Sequence, residues 1–131
     1  MKSMLHLLKG ESYSSLTWHE SQVIAGVRFA IRRVSLSQRI DLTRRVQELA
    51  NRYEFLTSGD IKDQLEATLA DLLVRKLYLE WGLLDVTGLK IDGKQASLET
   101  LVEKGPEILS NEIVSTIRNE LELSADERKN S

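Results

Sequence analysis

The residue types needed for nucleophilic catalysis occur in this chain, but they do not form a recognisable catalytic motif. Ser21, His19 and Asp41 supply a hydroxyl, an imidazole and a carboxylate, which are the three groups of a serine hydrolase triad. Almost any sequence of this length offers such a set, and no Gly-x-Ser-x-Gly turn surrounds a serine here. The seven glycines are scattered, so no phosphate-binding loop is predicted. We expect no enzymatic activity.

Metal-ligating side chains are also too few for a site of known type. The chain contains only two histidines, His6 and His19, and no cysteine, which excludes disulfides and thiolate zinc or iron–sulfur sites. The pair His19-Glu20 lacks the second histidine of a zinc-protease helix. Acids such as Glu120 and Glu122 lie on different faces of a helix and are better explained as solvated surface. We expect no metal and no cofactor.

The composition is that of a soluble protein with one domain. The chain has 131 residues, of which 41% are hydrophobic and 29% charged. No apolar run approaches the ~20 residues needed to cross a bilayer, and the opening MKSMLHLLKG lacks the cleavage site of a signal peptide. We therefore expect a protein of the cytoplasm.

The net charge of −2 conceals a basic half and an acidic half. Residues 1–53 hold nine Lys/Arg against four Asp/Glu, whereas residues 54–131 hold nine against sixteen. Arg28 and Arg32 alternate with apolar residues, which predicts that they lie on the outer face of a strand, and Arg33 breaks this alternation. They either keep that face soluble, pair with acids of the same or a neighbouring subunit, or contact nucleic-acid phosphates. Nucleic acid is the least favoured, because the isoelectric point is about 5.7. The candidate acids are Glu99, Glu103 and Glu112.

The N-terminal part is predicted to contain one strand. Residues 1–22 have scattered apolar positions, which indicate an irregular arm with at most a short strand at 4–8. From Val23 to Ile31, apolar residues alternate with others, which is typical of a half-buried strand. Because a lone strand is not stable, it needs a partner in this chain or in another subunit.

Two long helices follow the strand. Ser35 and Ser37 offer N-caps for the first, and its apolar face is Leu42, Val46, Leu49, Tyr53 and Leu56. Turn residues 57–60 separate it from a second helix over 61–81, which is more apolar all round and ends at Gly82. This second helix is therefore either central in the core or covered partly by another protein. Its apolar ladder is Ile61, Leu65, Leu69, Leu73, Leu77 and Trp81, widened by Leu72, Val74, Tyr78 and Leu79.

The C-terminal third is predicted to be a hairpin and two helices. Asp92-Gly93 lies between short extended runs, which predicts a type I′ turn. Ser97 caps a short helix that ends at Gly105, and Pro106 takes the first position of the next helix. The apolar stripe of that last helix is Leu109, Ile113, Ile117 and Leu121. At Ser124 a capping box starts at most one further turn.

The sequence thus predicts a mainly α fold: a small helical domain with an N-terminal β-strand or hairpin and a short Asp-Gly turn element between helices. The domain is expected to span residues 23–123, between the irregular arm at 1–22 and a flexible charged tail at 124–131. Trp81 is predicted chiefly as a core residue, and alternatively as part of a surface for a protein partner. The residues predicted for that partner surface are Leu72, Leu79, Trp81, Leu83, Arg28 and Arg32.

The order of elements resembles the small tail assembly chaperones of long-tailed bacteriophages and prophages. A strand that ends in IRRVSL (31–36) leads directly into a helix. A second long helix, a turn containing Ile91-Asp92-Gly93, a helix PEILSNEI (106–113) and the charged end ERKNS (127–131) follow. The resemblance covers the chain from about Val23 onward, and residues 1–18 have no counterpart in it.

The resemblance implies a non-enzymatic binding protein in the cytoplasm of a bacterial host. Its partners would be the hydrophobic tape measure protein, which it would coat, and the tail tube protein, with self-association as a further possibility. The second helix is then the candidate for a groove that holds an amphipathic partner helix. Two other hypotheses stay open: another virion assembly, minor tail or connector protein, and a small DNA-binding regulator.

Overall fold

The computed structural model describes residues 12–53 and 61–129, with side chains described for 12–52 and 64–122. Four helices and five short strands lie in these ranges. In chain order they are β1 (Leu16–Glu20), β2 (Arg28–Arg32), α1 (Leu36–Tyr53), α2 (Ile61–Gly82), β3 (Leu83–Thr87), β4 (Lys90–Ile91), β5 (Lys94–Gln95), α3 (Leu98–Lys104) and α4 (Glu107–Lys129).

The strands form two small antiparallel sheets. β1, β2 and β3 lie side by side in that order, and β4 pairs only with β5. Trp18 of β1 lies opposite Ala30 of the central strand, and Phe29 lies opposite Val86 of β3. The helices make up most of the described chain, as predicted, and β1 with β2 provides the predicted N-terminal hairpin. The third strand of that sheet, β3, was not predicted, so the fold is a mixture of helices and two small antiparallel sheets.

The core lies between one face of the three-stranded sheet and the helices behind it. Phe29 and Ile31 of β2 are fully buried, as their phase in the sequence predicts. They pack in one cluster with residues from β3 and from α2, α3 and α4. The helical members of this cluster include Leu79, Trp81, Leu101, Leu109, Ile113 and Ile117.

The helix boundaries in the first half agree closely with the sequence. The Ser35 hydroxyl accepts a hydrogen bond from the Gln38 N–H at 3.2 Å, so it caps α1. Leu42 is buried and Val46 is half-buried, which agrees with the first two positions of the predicted face, while the Tyr53 side chain lies outside the described residues. α2 ends at Gly82, where an added Cβ would lie 2.6 Å from Cδ1 of Ile117. Leu56, the turn at 57–60 and the short strand predicted at 4–8 lie outside the described residues.

The hairpin and the last two helices are also confirmed. Asp92 and Gly93 both have positive φ, at 52° and 82°, as a type I′ turn requires. Ser97 caps α3 in a capping box with Thr100. α4 begins one residue later than predicted, because Pro106 precedes it and offers its carbonyl to the first turn. The predicted stripe of α4 is buried at its first three positions and partly buried at Leu121.

The predicted N-terminal strand is wrong in its first half. Residues 21–27 form a turn rather than a strand, because the Ser21 hydroxyl accepts hydrogen bonds from the N–H groups of Val23 and Ile24. Val23 is consequently exposed instead of facing the core. The partner that the strand requires is β1, which lies inside the segment predicted to be an irregular arm.

The structure differs from the prediction at two further places, β3 and the C-terminal part of α4. β3 follows α2 without a loop, and its pattern of buried positions is broken because the register shifts between Ala30 and Ile31. The alternation that identifies a strand is therefore missing from its sequence. At the other end, the helical backbone of α4 continues past Ser124 to Lys129, so no new turn begins at the predicted capping box.

Candidate protein-binding surface

Three leucines on the first half of α2 form an exposed apolar row, here called the leucine stripe. Leu65, Leu69 and Leu72 are 66%, 48% and 44% exposed. Their spacing of four and three residues places them on one side of the helix. Single exposed leucines are common on protein surfaces, but a contiguous row is typical of a surface that binds something.

The leucine stripe leads into a groove between α2, α3 and α4. Leu72 belongs to both, and the next residues on the same side of α2, Lys76 and Leu79, line the groove. Its volume is about 330 Å³. Its apolar lining is completed by Leu101 and Val102 of α3 and Val114 of α4.

Polar side chains surround the groove on two sides. Arg75 and Lys76 lie on the α2 side, and Glu107, Ser110 and Asn111 lie on the α4 side. Arg75 is held by an ion pair with Asp71 at 3.0 Å, one turn back on the same helix. Because both partners of this pair are exposed, it contributes at most about 1 kcal/mol to stability. The groove therefore has a basic edge and an edge that carries an acid.

The burial of side chains along α2 corrects part of the predicted partner surface. Of the six predicted residues, Leu72 lines the groove and is exposed. Leu79 is buried and forms the groove floor. Trp81 and Leu83 are also buried, because α2 turns directly into β3 at this point and both side chains join the core. Their side chains are not available to a docked partner.

Arg28 and Arg32 lie on the sheet and do not line the groove. As predicted, they project from the outer face of β2, opposite the face that carries Phe29. The Arg28 guanidinium lies 5.2 Å from the ring centre of Trp18. Arg32 donates a hydrogen bond from Nε to the Trp81 carbonyl at 2.9 Å, so it ties β2 to the end of α2.

Within the described residues, the acids suggested as partners form no ion pair with these arginines, and pairing between subunits stays a prediction. In the described part of the chain, the ion pairs include Arg45–Asp41, Arg75–Asp71 and Lys104–Asp92. Glu112 instead accepts hydrogen bonds from the Ser21 hydroxyl at 2.7 Å and from the Gln22 N–H at 2.6 Å. This contact joins the β1–β2 turn to α4.

The possible triad residues are not brought together. The Ser21 hydroxyl donates to Glu112, and Asp41 pairs with Arg45. Nε2 of His19 lies 2.9 Å from the Thr17 hydroxyl, and its ring stacks on Phe29 with centroids 5.7 Å apart. Burial in this position lowers the pKa of His19 below its ordinary value of 6.5. Within the described residues no group of three or more His, Asp or Glu could hold a metal ion.

Comparison with known proteins identifies no relative of this chain. No protein-family model, curated protein or solved structure matches the chain. None of the four helices, over the residues that can be described, has the length and apolar character needed to span a membrane.

The sequence pointed to α2, but it did not reveal the groove. Leu65 and Leu69 belong to the apolar residues predicted for α2. The sequence alone does not show which of those residues stay exposed, because this depends on the packing of α1 against α2. Val102 and Glu107 complete the site from α3 and α4, and their proximity to Leu72 depends on the fold. No local pattern in the sequence could have identified them.

Proposed function

We propose that this protein binds an amphipathic helix of a partner protein through the leucine stripe and the groove, and acts without catalysis. The observation that supports it is the continuity of three exposed leucines with a groove whose walls come from three helices. A helix that docks in such a groove presents apolar anchors at spacings of three and four residues. The leucine stripe has the same spacing, so the two helices can pack side by side.

The partner we propose is the tape measure protein of a long-tailed phage or prophage. A tape measure protein has long helical segments with apolar surface, and a protein that covers this surface would keep it soluble until tail tube subunits assemble around it. The activity would then take place in the cytoplasm of the bacterial host. The resemblance in element order supports this identification, and the leucine stripe supports the mode of binding.

Co-expression with the tape measure protein from the same gene cluster tests the proposal. We expect the tape measure protein to stay soluble and to co-purify with the wild-type chain. The Leu69→Glu variant should lose this capture, because it places a charge in the middle of the leucine stripe. Ile40→Glu is the matched control, since Ile40 is exposed to a similar extent on α1, at 50% against 48%.

Two results would contradict the proposal. One is that the wild-type chain captures no tape measure protein from an intact tail gene cluster. The other is that Ile40→Glu weakens capture as much as Leu69→Glu does. Mass spectrometry of purified virions separates a chaperone from a minor tail or connector protein, because a chaperone is absent from the mature particle. The neighbouring genes give a further check: a major tail protein upstream and a very long helical protein downstream are expected.

A further inference from the structure

The free edges of the three-stranded sheet differ in how their backbone groups are satisfied. β1 and β3 are the outer strands, and each has one edge without a neighbouring strand of the same sheet in the part of the chain that the structure describes. In an antiparallel pair, the residues of a strand alternately direct their N–H and C=O groups toward the partner and away from it. The hydrogen bonds at the ends of the β1–β2 pair show which residues point in each direction.

Two backbone hydrogen bonds at the ends of the β1–β2 pair show which residues of β1 direct their backbone groups toward β2. The Arg33 N–H donates to the Ser15 carbonyl at 2.9 Å, and the Ser21 N–H donates to the Val27 carbonyl at 2.8 Å. The odd-numbered residues of β1 therefore direct their backbone N–H and C=O groups toward β2. Leu16, Trp18 and Glu20 direct their backbone groups to the free edge.

The edge of β3 is closed by side chains of this chain. Val86 is the residue of β3 that points away from β2, by the same alternation. Its N–H donates to the Asp85 side chain at 2.8 Å, and its carbonyl accepts from Nε2 of Gln95 at 2.7 Å. Because both groups are satisfied, another strand gains nothing by pairing at this position.

The edge of β1 is closed only at its ends. The Leu16 N–H lies 3.4 Å from the Ser14 hydroxyl oxygen, and the Glu20 carbonyl accepts from Nε2 of Gln22 at 3.3 Å. Four groups have no hydrogen-bond partner among the described residues: the N–H and C=O of Trp18, the C=O of Leu16 and the N–H of Glu20. As far as residues 12–53 and 61–129 are concerned, the centre of this edge is open, and the Trp18 side chain beside it is 40% exposed.

These four open groups are complementary to the same four groups in a second copy of the chain. If two β1 strands run antiparallel with Trp18 opposite Trp18, each Trp18 N–H meets the Trp18 carbonyl of the other copy. Leu16 then lies opposite Glu20, so each open Glu20 N–H meets an open Leu16 carbonyl. The remaining pair, the Leu16 N–H and the Glu20 carbonyl, consists of the two groups already satisfied by Ser14 and Gln22. No open group is left over.

The side chains agree with the same register. Trp18 lies beside Trp18 of the other copy on the outer face, which is a favourable cross-strand aromatic pair. Glu20 lies beside Leu16, so no like charges are placed directly opposite each other. We propose that two copies of this chain pair through β1, antiparallel about Trp18, and form one continuous six-stranded sheet. This inference does not depend on the proposed function of the leucine stripe.

Cysteine cross-linking tests the register, because the natural chain has no cysteine. In this arrangement the two Trp18 Cα atoms lie about 5.5 Å apart, within the range that a disulfide spans. Trp18→Cys should therefore form a covalent dimer on oxidation. Glu20→Cys is the matched control on the same face of the same strand. Its two Cα atoms would be about 14 Å apart, four residues along the strand, and it should not cross-link.

A mixture of Leu16→Cys and Glu20→Cys chains gives the decisive result. Each variant alone should remain uncross-linked, whereas the mixture should yield the mixed dimer, because Leu16 of one copy faces Glu20 of the other. Sedimentation equilibrium of the wild-type chain should show a monomer–dimer equilibrium. Trp18→Pro should shift it to monomer while far-UV circular dichroism stays native, because the proline removes an N–H that does not bond to β2.

Three outcomes would overturn the proposal. The first is a wild-type chain that is monomeric across the whole concentration series. The second is that Glu20→Cys alone cross-links as readily as Trp18→Cys, which would indicate random collision or another register. The third is that the full chain is monomeric and dimerises only after residues 1–11 are removed, which would assign the β1 edge to the chain's own N-terminal residues.

Discussion

Replacing Glu112 by alanine should separate the β1–β2 turn from α4 and lower the free energy of unfolding by about 2–4 kcal/mol. The carboxylate receives one hydrogen bond from the Ser21 hydroxyl and one from the Gln22 N–H, and a hydrogen bond to a charged group contributes about 1.5–3 kcal/mol. Ser21 is buried, so its hydroxyl would lose a partner that water replaces poorly. Gln22 is exposed and can bond to water, which limits the second loss.

Urea unfolding measures this loss, and hydrogen exchange locates it. For a slope of about 2 kcal/mol per M, the unfolding midpoint should fall by about 1–2 M. The amide hydrogens of Gln22, Val23 and Ile24 should exchange faster than the change in global stability alone explains. The Ser21 hydroxyl accepts hydrogen bonds from the Val23 and Ile24 N–H groups, and its own hydrogen bond to Glu112 orients it.

Glu122→Ala is the control for the Glu112 variant. Glu122 is an exposed acid on the same helix, and its loss should change the free energy of unfolding by no more than about 0.5 kcal/mol. The reasoning is refuted if the two variants unfold at the same urea concentration. It is also refuted if the Gln22 amide is protected equally in the wild type and in Glu112→Ala.

Three further predictions concern a glycine, a histidine and a helix cap. Gly88→Ala should lower the thermal unfolding midpoint of the protein far more than Gly93→Ala. Both glycines have a φ of 82°, but only at Gly88 would an added Cβ clash with the Gly26 carbonyl oxygen. Burial lowers the pKa of His19 in the folded state, so unfolding should become easier as the pH falls through 6.5, and His19→Gln should show a smaller change over that range. Ser97→Ala should cost about 1 kcal/mol through the lost cap of α3, with Ser115→Ala as an exposed control, and an equal loss for both variants would contradict the role of the cap.

The sequence predicts elements whose signals are local. The α4 stripe, the N-cap at Ser97 and the Asp92-Gly93 turn each depend on residues a few positions apart, and all three are present in the structure. A helix face or a turn carries its own spacing and cap chemistry, so a window of the sequence suffices to identify it.

The elements that the sequence misses depend on distant partners. β1 is short and is flanked by serines in the sequence. It forms a strand because β2 lies beside it. β3 is hidden because a bulge in the pairing with β2 disturbs its alternation. Pairing with an arginine is one of the alternatives that the sequence leaves open for Glu112, whereas in the structure its partners are set by the turn at Ser21, 91 positions away. The groove has the same origin, since it requires α3 and α4 to meet α2.

The order of strands in the sheet also determines when the chain can bury its apolar surface during synthesis. β2 is made about fifty residues before β3, and the core face of β2 is covered finally by α4, which is made last. A growing chain that has not reached Ile117 therefore carries Phe29 and Ile31 without the full cover that α4 supplies. Such a chain is prone to aggregation, so a product truncated within α4 should accumulate in inclusion bodies rather than fold as a smaller domain.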